Sequence, residues 1–418
     1  MSFYEENIFT MKAGPDTKYR DFNTSKTKYG RLLKSAFVFG ANGSGKTNFI
    51  QAATWMNTVV VSELSRQSKL ISNVPYFQFH EEASNIPTTM EVQFIVEETL
   101  YEYGFEILNG EVIKEFLSRK VGQRLTPVFF RNSPDFKDIS FTGKEMDNVK
   151  DLAKNTRKDN LFLYWANGGN NEIAIEVYRW FEESLYFFDM NQENALSEIT
   201  VDYVQNEKNG KQKILDLLKQ ADINIIDFNM DISEEEPSFK KLLKKSVADK
   251  LPPVTSVSLE TYHYYYDRDW SNPKPIPIPF SHESAGTQKL FEVAGPILDA
   301  LEKGKVIFID EIDTRLHPLL VRFLVMMFNS ISKNPNNAQL ICNTHDVLLL
   351  DENIRRDQIY FTEKNENGVS QLYALTDFTG IRKDSKLLKR YLIGLFGAVP
   401  NIREQLIPTS QQEDVVDE

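Results

Sequence analysis

The 418-residue chain holds one cysteine, Cys342, and five histidines. A single thiol excludes an intramolecular disulfide framework and any Cys-rich zinc site, and it fits a reducing compartment. Long hydrophobic runs are missing as well. None approaches the roughly 18 apolar residues of a membrane span. The N-terminus, Met1-Ser-Phe-Tyr-Glu-Glu, carries acid where a signal peptide needs base. Cationic charge is in deficit: 48 Lys and Arg stand against 60 Asp and Glu, a formal net charge of −12. That balance argues against a protein that coats nucleic acid by bulk electrostatics, though not against a local basic groove. No apolar heptad is sustained, so a long coiled-coil arm is excluded, and there are no internal repeats. What is present is a core: 41% of the residues are hydrophobic and 12% aromatic, which rules out wholesale disorder. The chain reads as a soluble, cytoplasmic globular protein, long enough for two to three domains of about 150 residues.

Periodicity organises the chain. Ser35–Phe39 is a short apolar run that reads as a buried strand, and Lys46 to about Arg66 has helical spacing. From Thr88 to Gly143 the period changes to two, and Asn109-Gly110 is a strong hairpin signal, which predicts an antiparallel meander. Residues 145–220 read as mostly helical, with Ile173–Phe188 the clearest case and Ile214–Leu218 closing the stretch. Ile223–Met230 and Val254–Tyr266 read as strands, and Pro273–Pro279 as an extended edge segment. From Ser284 onward helix and strand alternate: helix, strand, helix, strand, helix. Gln411–Glu418 is an acidic tail.

Gly40-Ala41-Asn42-Gly43-Ser44-Gly45-Lys46-Thr47 matches G-x-x-x-x-G-K-[ST] between an apolar strand and a helix. The glycines let backbone N–H groups turn inward and cradle phosphates. Lys46 would reach the β and γ oxygens, and the Thr47 hydroxyl would take a position on Mg²⁺. The other half of such a site needs a carboxylate for the metal and a base for water. Lys305-Val-Ile-Phe-Ile-Asp310-Glu311 supplies an apolar strand followed by two acids. Asp310 would hold the metal, and Glu311 would orient and deprotonate the attacking water.

Lys46 and Asp310 are 264 residues apart, so a large insertion separates the two halves of the site. Ser281-His-Glu-Ser284-Ala-Gly286-Thr287-Gln288 opens a helix 26 residues before Asp310, with a hydroxyl and free N–H groups at a positive helix end. Gln339–Cys342 is a strand ending in Asn343-Thr344-His345-Asp346. His345 falls 34 residues after Glu311, at a strand end within reach of a γ-phosphate.

Gly40–Asn48, the Ser-x-Gly-Thr-Gln run, Asp310-Glu311, Leu316-His317-Pro318 and Thr344-His345-Asp346 resemble the ABC/RecF/SMC-type ATPases. More narrowly, they resemble the short prokaryotic Rlo/OLD-type AAA ATPases associated with phage defence. That narrower likeness takes in Ile381–Asp384 and Arg390–Pro400. The resemblance implies an ABC-type α/β ATPase head and a head-to-tail dimer. ATP on Gly40–Asn48 of one subunit would be closed over by Ser284, Gly286, Thr287 and Gln288 of another. It further implies that Asp313 crosses the dimer interface, that His345 is the switch histidine, and that Gln78 senses Mg²⁺ and water. The family opens with a β-strand ahead of the region matching Ser2–Met11, so here that strand is expected to be missing or supplied otherwise.

Other features carry less chemistry. Lys240–Lys245 reads as a solvated face. Tyr262–Tyr266 with Trp270 reads as a strand with aromatic sides rather than a base-stacking platform. His263 and His317 lack further ligands at metal spacing, and Asp267 with Asp269 lacks a third acid. Arg382, Lys383, Lys386, Lys389 and Arg390 form the densest basic run. The 73 residues after His345 are too few for the nuclease domain that OLD proteins carry, so any nuclease or toxin is expected to act in trans. The expectation is an ATPase head built from an N-terminal lobe (1–144) and a C-terminal lobe (254–418), with a mostly helical insert (145–253) between. Its ATP- and Mg²⁺-dependent dimerisation would regulate a separate effector in anti-phage defence. A RecF/SMC-like DNA-repair ATPase is the alternative, with DNA contact weakly supported and no membrane partner.

Overall fold

The computed structural model describes residues 2–191, 198–235, 254–381 and 386–400. Lys240–Lys245, Arg382 and Lys383 and the acidic tail lie outside them. A helical turn α1 (Arg20–Asn23) and a hairpin, β1 (Thr24–Thr27) with β2 (Gly30–Leu33), lead into β3 (Ser35–Gly40). All six residues of β3 are buried, as a strand covered on both faces requires. Where one helix was expected to run to Arg66, there are two, α2 (Lys46–Val61) and α3 (Leu64–Ser72). The break follows Val59-Val60-Val61, a β-branched run that disfavours helix, and Gln67 Nε2 donates to the freed Val59 carbonyl at 3.0 Å.

Strands β4 (Thr88–Val96), β5 (Thr99–Leu108), β6 (Glu111–Val121), β7 (Arg124–Arg131) and β8 (Ile139–Phe141) form the antiparallel meander that the two-residue period predicts. Asn109 and Gly110 turn with φ of 52° and 76°, the left-handed pair that a tight hairpin demands. Next come α4 (Phe162–Gly168), α5 (Glu172–Glu183) and β9 (Leu185–Asp189). The helix expected over Ile173–Phe188 therefore stops early. Leu185-Tyr-Phe-Phe is instead drawn into the central sheet, and pairing with a partner strand overrides local pattern.

The remaining elements are α6 (Glu198–Asn206), α7 (Gly210–Gln220), β10 (Asp227–Glu235), β11 (Val254–Tyr265), β12 (Lys274–Pro279), α8 (Ala285–Lys303), β13 (Val306–Asp310), α9 (Pro318–Asn329), β14 (Gln339–Asn343), β15 (Ile359–Lys364), β16 (Ser370–Ala374) and α10 (Leu387–Leu392). Strand β10 begins at Asp227, four residues later than expected, and β12 is the proline-rich edge of a three-stranded sheet β10-β11-β12. The β15–β16 hairpin was not anticipated. It pairs through β15 with β3 because Ile-Tyr-Phe-Thr suits a buried strand.

The central sheet runs β16-β15-β3-β14-β13-β9, parallel throughout except for β16. One apolar core packs its strands against α7, α8 and α9. A second fills the space between the meander and α2, α4 and α5. Among the described residues no helix is long and apolar enough to cross a membrane.

The second core contains one fully buried ion pair. Glu115 of β6 caps α4, accepting from the N–H groups of Phe162 (2.7 Å) and Leu163 (3.0 Å) and from the Tyr103 hydroxyl (3.0 Å). Arg131 of β7 lies 3.9 Å away and donates to the carbonyls of Ser133, Pro134 and Asn160. Burial pushes the Glu115 carboxyl up and the Arg131 guanidinium down, and each partner's charge opposes the other's shift. Removing Glu115 leaves the Arg131 charge buried without its carboxylate and two helix N–H groups unpaired. Glu115→Ala is therefore expected to cost about 3–5 kcal/mol in urea unfolding, with Glu115→Gln costing clearly less.

Candidate nucleotide-binding site

Strand β3 delivers the chain into the loop Gly40–Thr47, and α2 starts inside it at Lys46. Gly43 (φ 74°) and Gly45 (φ 117°) take the left-handed conformations that turn backbone N–H groups inward. The loop is seated against β15, β16 and the N-terminal segment. Ser44 Oγ lies 2.7 Å from Thr362 Oγ1, and Ser370 Oγ donates to the Ser44 carbonyl at 2.6 Å. Asn48 Nδ2 donates to Ser2 Oγ at 2.7 Å. A Cβ on Gly45 would come within 2.6 Å of Ser370 Oγ and 2.9 Å of Ser2 Oγ. Residues 2–11, the region matched to the segment after the family's first strand, form neither helix nor strand. They are tied to β16 by the Ser370 N–H on the Ser2 carbonyl and to β2 by the Leu33 N–H on the Met11 carbonyl, both at 2.7 Å. Ala41 is half-buried, and Asn42 stands exposed at the tip.

Lys46 is buried, and its Nζ donates to the carbonyls of Gly40 (2.8 Å) and Ala41 (3.2 Å). Burial lowers its pKa, while the carboxylates of Glu311, Asp313 and Asp310 pull it back up. Three acids are thus near enough to act on one ammonium, although 264 residues separate Lys46 from the first of them.

Asp310 closes β13, and Thr47 Oγ1 donates to its Oδ1 at 3.2 Å. Asn343, at the end of the interposed β14, donates to the same oxygen and accepts the Glu311 N–H at 2.5 Å. Burial raises the Asp310 pKa against these two hydrogen bonds, and the nearby Asp189 and Glu311 charges raise it further. Glu311 has φ of 53°, an uncommon backbone for a residue with a side chain. Its Oε2 accepts from Asn191 Nδ2 (3.0 Å) and Thr314 Oγ1 (3.2 Å). Asp313 Oδ1 accepts from Thr344 Oγ1 (2.6 Å) and the His345 N–H (3.1 Å), which laces the loop after β13 to the loop after β14. The His345 ring is exposed there.

Ser284 caps α8, accepting from the Thr287 N–H at 3.1 Å, and Gln288 Nε2 donates to the Glu283 carbonyl at 2.8 Å. A Cβ on Gly286 would sit 2.9 Å from the Arg315 carbonyl, so this helix start lies beside its own chain's loop after β13. Among the described residues, no hydrogen bond joins Ser284, Thr287 or Gln288 to the loop 40–48 of the same chain. Gln78 is exposed in the coil between α3 and β4, and the structure does not bring it into the Thr47–Asp310 contact. His263 is bonded to Glu283 at 2.6 Å, and His317 caps α9. Cys342 is buried in β14. Tyr264, Tyr265, Tyr266 and Trp270 are exposed around the turn from β11 to β12.

Three contributors were missed: Asn343, Thr314, and the end of β9 with Asp189 and Asn191. A signal for β9 exists, since Leu-Tyr-Phe-Phe-Asp has the same form as Val-Ile-Phe-Ile-Asp of β13. The residue set fits a nucleotide and its metal. Backbone N–H groups and one lysine suit phosphate, and a hydroxyl 3.2 Å from a buried carboxylate offers the hard oxygens that Mg²⁺ takes. No cluster of three or more His, Cys, Asp or Glu that could hold a metal occurs among the described residues.

The model of a family described as "AAA domain, putative AbiEii toxin, Type IV TA system" matches residues 35–351. A crystal structure of an SMC head bound to the C-winged helix domain of ScpA aligns over 82% of this chain and 91% of that one, at 13% identity and a TM-score of 0.35. No curated protein matches the chain.

The loop geometry carries its own test. Gly45→Ala forces a side chain into a left-handed backbone, at about 1–2 kcal/mol, and against two hydroxyls. Affinity for a fluorescent ATP analogue, followed by anisotropy, is expected to fall at least ~10-fold, while the far-UV circular dichroism stays unchanged.

Proposed function

The chain belongs to the AAA-domain family of the AbiEii-toxin type, and from that premise we propose that it is a Mg²⁺-dependent ATP hydrolase whose nucleotide state controls assembly with a second copy. The observation that carries the reading is the 3.2 Å contact between Thr47 and Asp310, which joins the phosphate loop to the end of β13. In this reading the N–H groups of Gly43–Thr47 and the Lys46 ammonium hold the β and γ phosphates. Thr47 and Asp310 hold Mg²⁺, which supplies charge neutralisation on the phosphate oxygens when bound. Glu311 takes a proton from the attacking water, and positioning does most of the remaining work.

Several features support a second copy as the missing part. Ser284, Gly286, Thr287 and Gln288 sit at a free helix start whose hydrogen bonds stay local, away from the loop 40–48 of their own chain. A helix N-terminus and a hydroxyl suit the γ-phosphate of a nucleotide carried by another subunit. Asp313 and His345, tied together beside Glu311, would respond to that closure. Hydrolysis would then be slow in the isolated chain. The family's association with toxin–antitoxin systems, and the net charge of −12, support a role in which the ATPase controls a separate protein effector in defence against phage.

Two substitutions test this. Lys46→Ala is expected to reduce ATP turnover by about 10²-fold or more, measured as phosphate release. Glu311→Gln is expected to retain ATP and to raise the nucleotide-dependent dimer fraction in light scattering. Unchanged turnover in the first, or an unchanged monomer in the second, would overturn the corresponding half of the reading.

A further inference from the structure

Strand β9 stands at the edge of the central sheet, next to the strand that carries the catalytic acids, and it pairs with β13 in parallel register so that Asp189 lies opposite Asp310. The chain does not leave the site at that point. The Met190 N–H donates to the Asp310 carbonyl at 3.1 Å, which continues the ladder one step past the strand, and the Met190 side chain is buried. The Asp189 carboxylate then accepts the Asn191 N–H at 2.9 Å and turns the backbone. These two bonds fix where residue 191 begins. Its side-chain amide reaches across to Glu311, with Nδ2 3.0 Å from Oε2.

Glu311 needs such a hold. Its backbone is in the left-handed region, where a side chain lacks the usual support of a regular element, and its N–H is taken by Asn343. The hydrogen bonds to its carboxylate come from Asn191 and from Thr314, three residues on. Both fall on Oε2. Thr314 belongs to the same loop as Glu311, so among the described residues only Asn191 references the carboxylate to a different strand of the sheet. An amide is well suited to that hold. It donates without adding charge beside Asp189, Asp310 and Glu311, where a lysine or arginine would pair with the acids and compete for them.

We propose that Asn191 is a positioning residue for Glu311. Its amide holds Oε2 and leaves Oε1 turned to the attacking water. The inference rests on the reading of Glu311 as the base in ATP hydrolysis. Among the described residues no hydrogen bond joins Asn191 to Gly40–Asn48, so its removal should leave nucleotide binding intact and lower the rate of the chemical step. Misplacement of a reacting group by about 1 Å costs on the order of 10²-fold.

The test is steady-state ATP hydrolysis by the full chain with Mg²⁺, read as kcat and KM, with thermal midpoints as the control for folding. Asn191→Ala and the near-isosteric Asn191→Leu are expected to lower kcat by ~10- to 100-fold while KM for ATP changes less than about two-fold. Asn191→Gln, which keeps the donor on a longer arm, should recover part of the loss. In the Glu311→Gln background, Asn191→Ala should have no further effect on the residual rate, because both changes remove one function. The inference is overturned if Glu311→Gln abolishes turnover while both Asn191 variants keep wild-type kcat. It is equally overturned if they lower kcat additively with Glu311→Gln, or raise KM in step with lost thermal stability. If Glu311→Gln leaves kcat unchanged, the reading of Glu311 itself fails, whatever the Asn191 variants do.

Discussion

Everything at this site depends on Thr47 and Asp310 meeting across one intervening strand. They lie on different segments, 263 residues apart, and approach to 3.2 Å. The approach is a matter of register. Strand β14 lies between β3 and β13, with Asn343 opposite Val38 and Cys342 opposite Ile309. The carboxyl ends of β13 and β14 therefore finish at one level, at Asp310 and Asn343, while β3 runs two residues further, to Gly40, before the loop begins. Asn343 spans the gap that β14 opens, giving its amide hydrogen to Asp310 and its oxygen to the Glu311 N–H. A slip of one residue in either pairing would point Asp310 to the opposite face of the sheet, and loop and acids would no longer share a site.

That convergence carries an electrostatic cost, and the surroundings show how it is met. Asp310 is 5% exposed and Lys46 6%, so both charged forms are desolvated, and burial moves their pKa values in opposite directions toward neutrality. Hydrogen bonds from Thr47 and Asn343 hold the aspartate, and the carbonyls of Gly40 and Ala41 receive the ammonium. None of these four partners brings a full opposite charge. Hydrogen-bonding dipoles thus surround both ions, and buried titratable groups in such surroundings are candidates for a functional site. The left-handed backbone at Glu311 belongs to the same account, since such conformations persist only where the surrounding structure over-determines them.

The parts legible in the sequence are those that one contiguous run encodes. Gly40–Thr47 declares a glycine loop between strand and helix, Val306–Glu311 declares a strand ending in two acids, and Asn109-Gly110 with its flanking alternation declares the meander. The parts that were not legible depend on pairing across the chain. Leu185-Tyr-Phe-Phe follows a strongly amphipathic helix with only Ser184 between them, and nothing in its own pattern separates a buried helical turn from a strand. The neighbouring β13 decides. Ile359–Thr362 is decided in the same way by β3. Asn343 is the sharpest case. An asparagine before Thr-His-Asp has no particular meaning until β14 is placed between the loop strand and the acid strand, because only that position lets one amide serve Asp310 and Glu311 together.

Among the described residues the meander layer reaches this site through α2 and through α5 with β9. Helix α2 carries Lys46 and Thr47 at its first turn and packs its far half into the second core, where the Tyr178 hydroxyl of α5 donates to the Val61 carbonyl at 2.9 Å. Helix α5 itself stacks Trp180 on Phe94 of the meander, with ring centroids 3.9 Å apart, and then passes through Ser184 directly into β9. One layer therefore ends at the phosphate loop by way of α2 and beside Asp310 and Glu311 by way of α5 and β9. The buried Glu115–Arg131 pair belongs to the same layer, where the Glu115 carboxylate takes the first N–H groups of α4 and so ties that helix to β6.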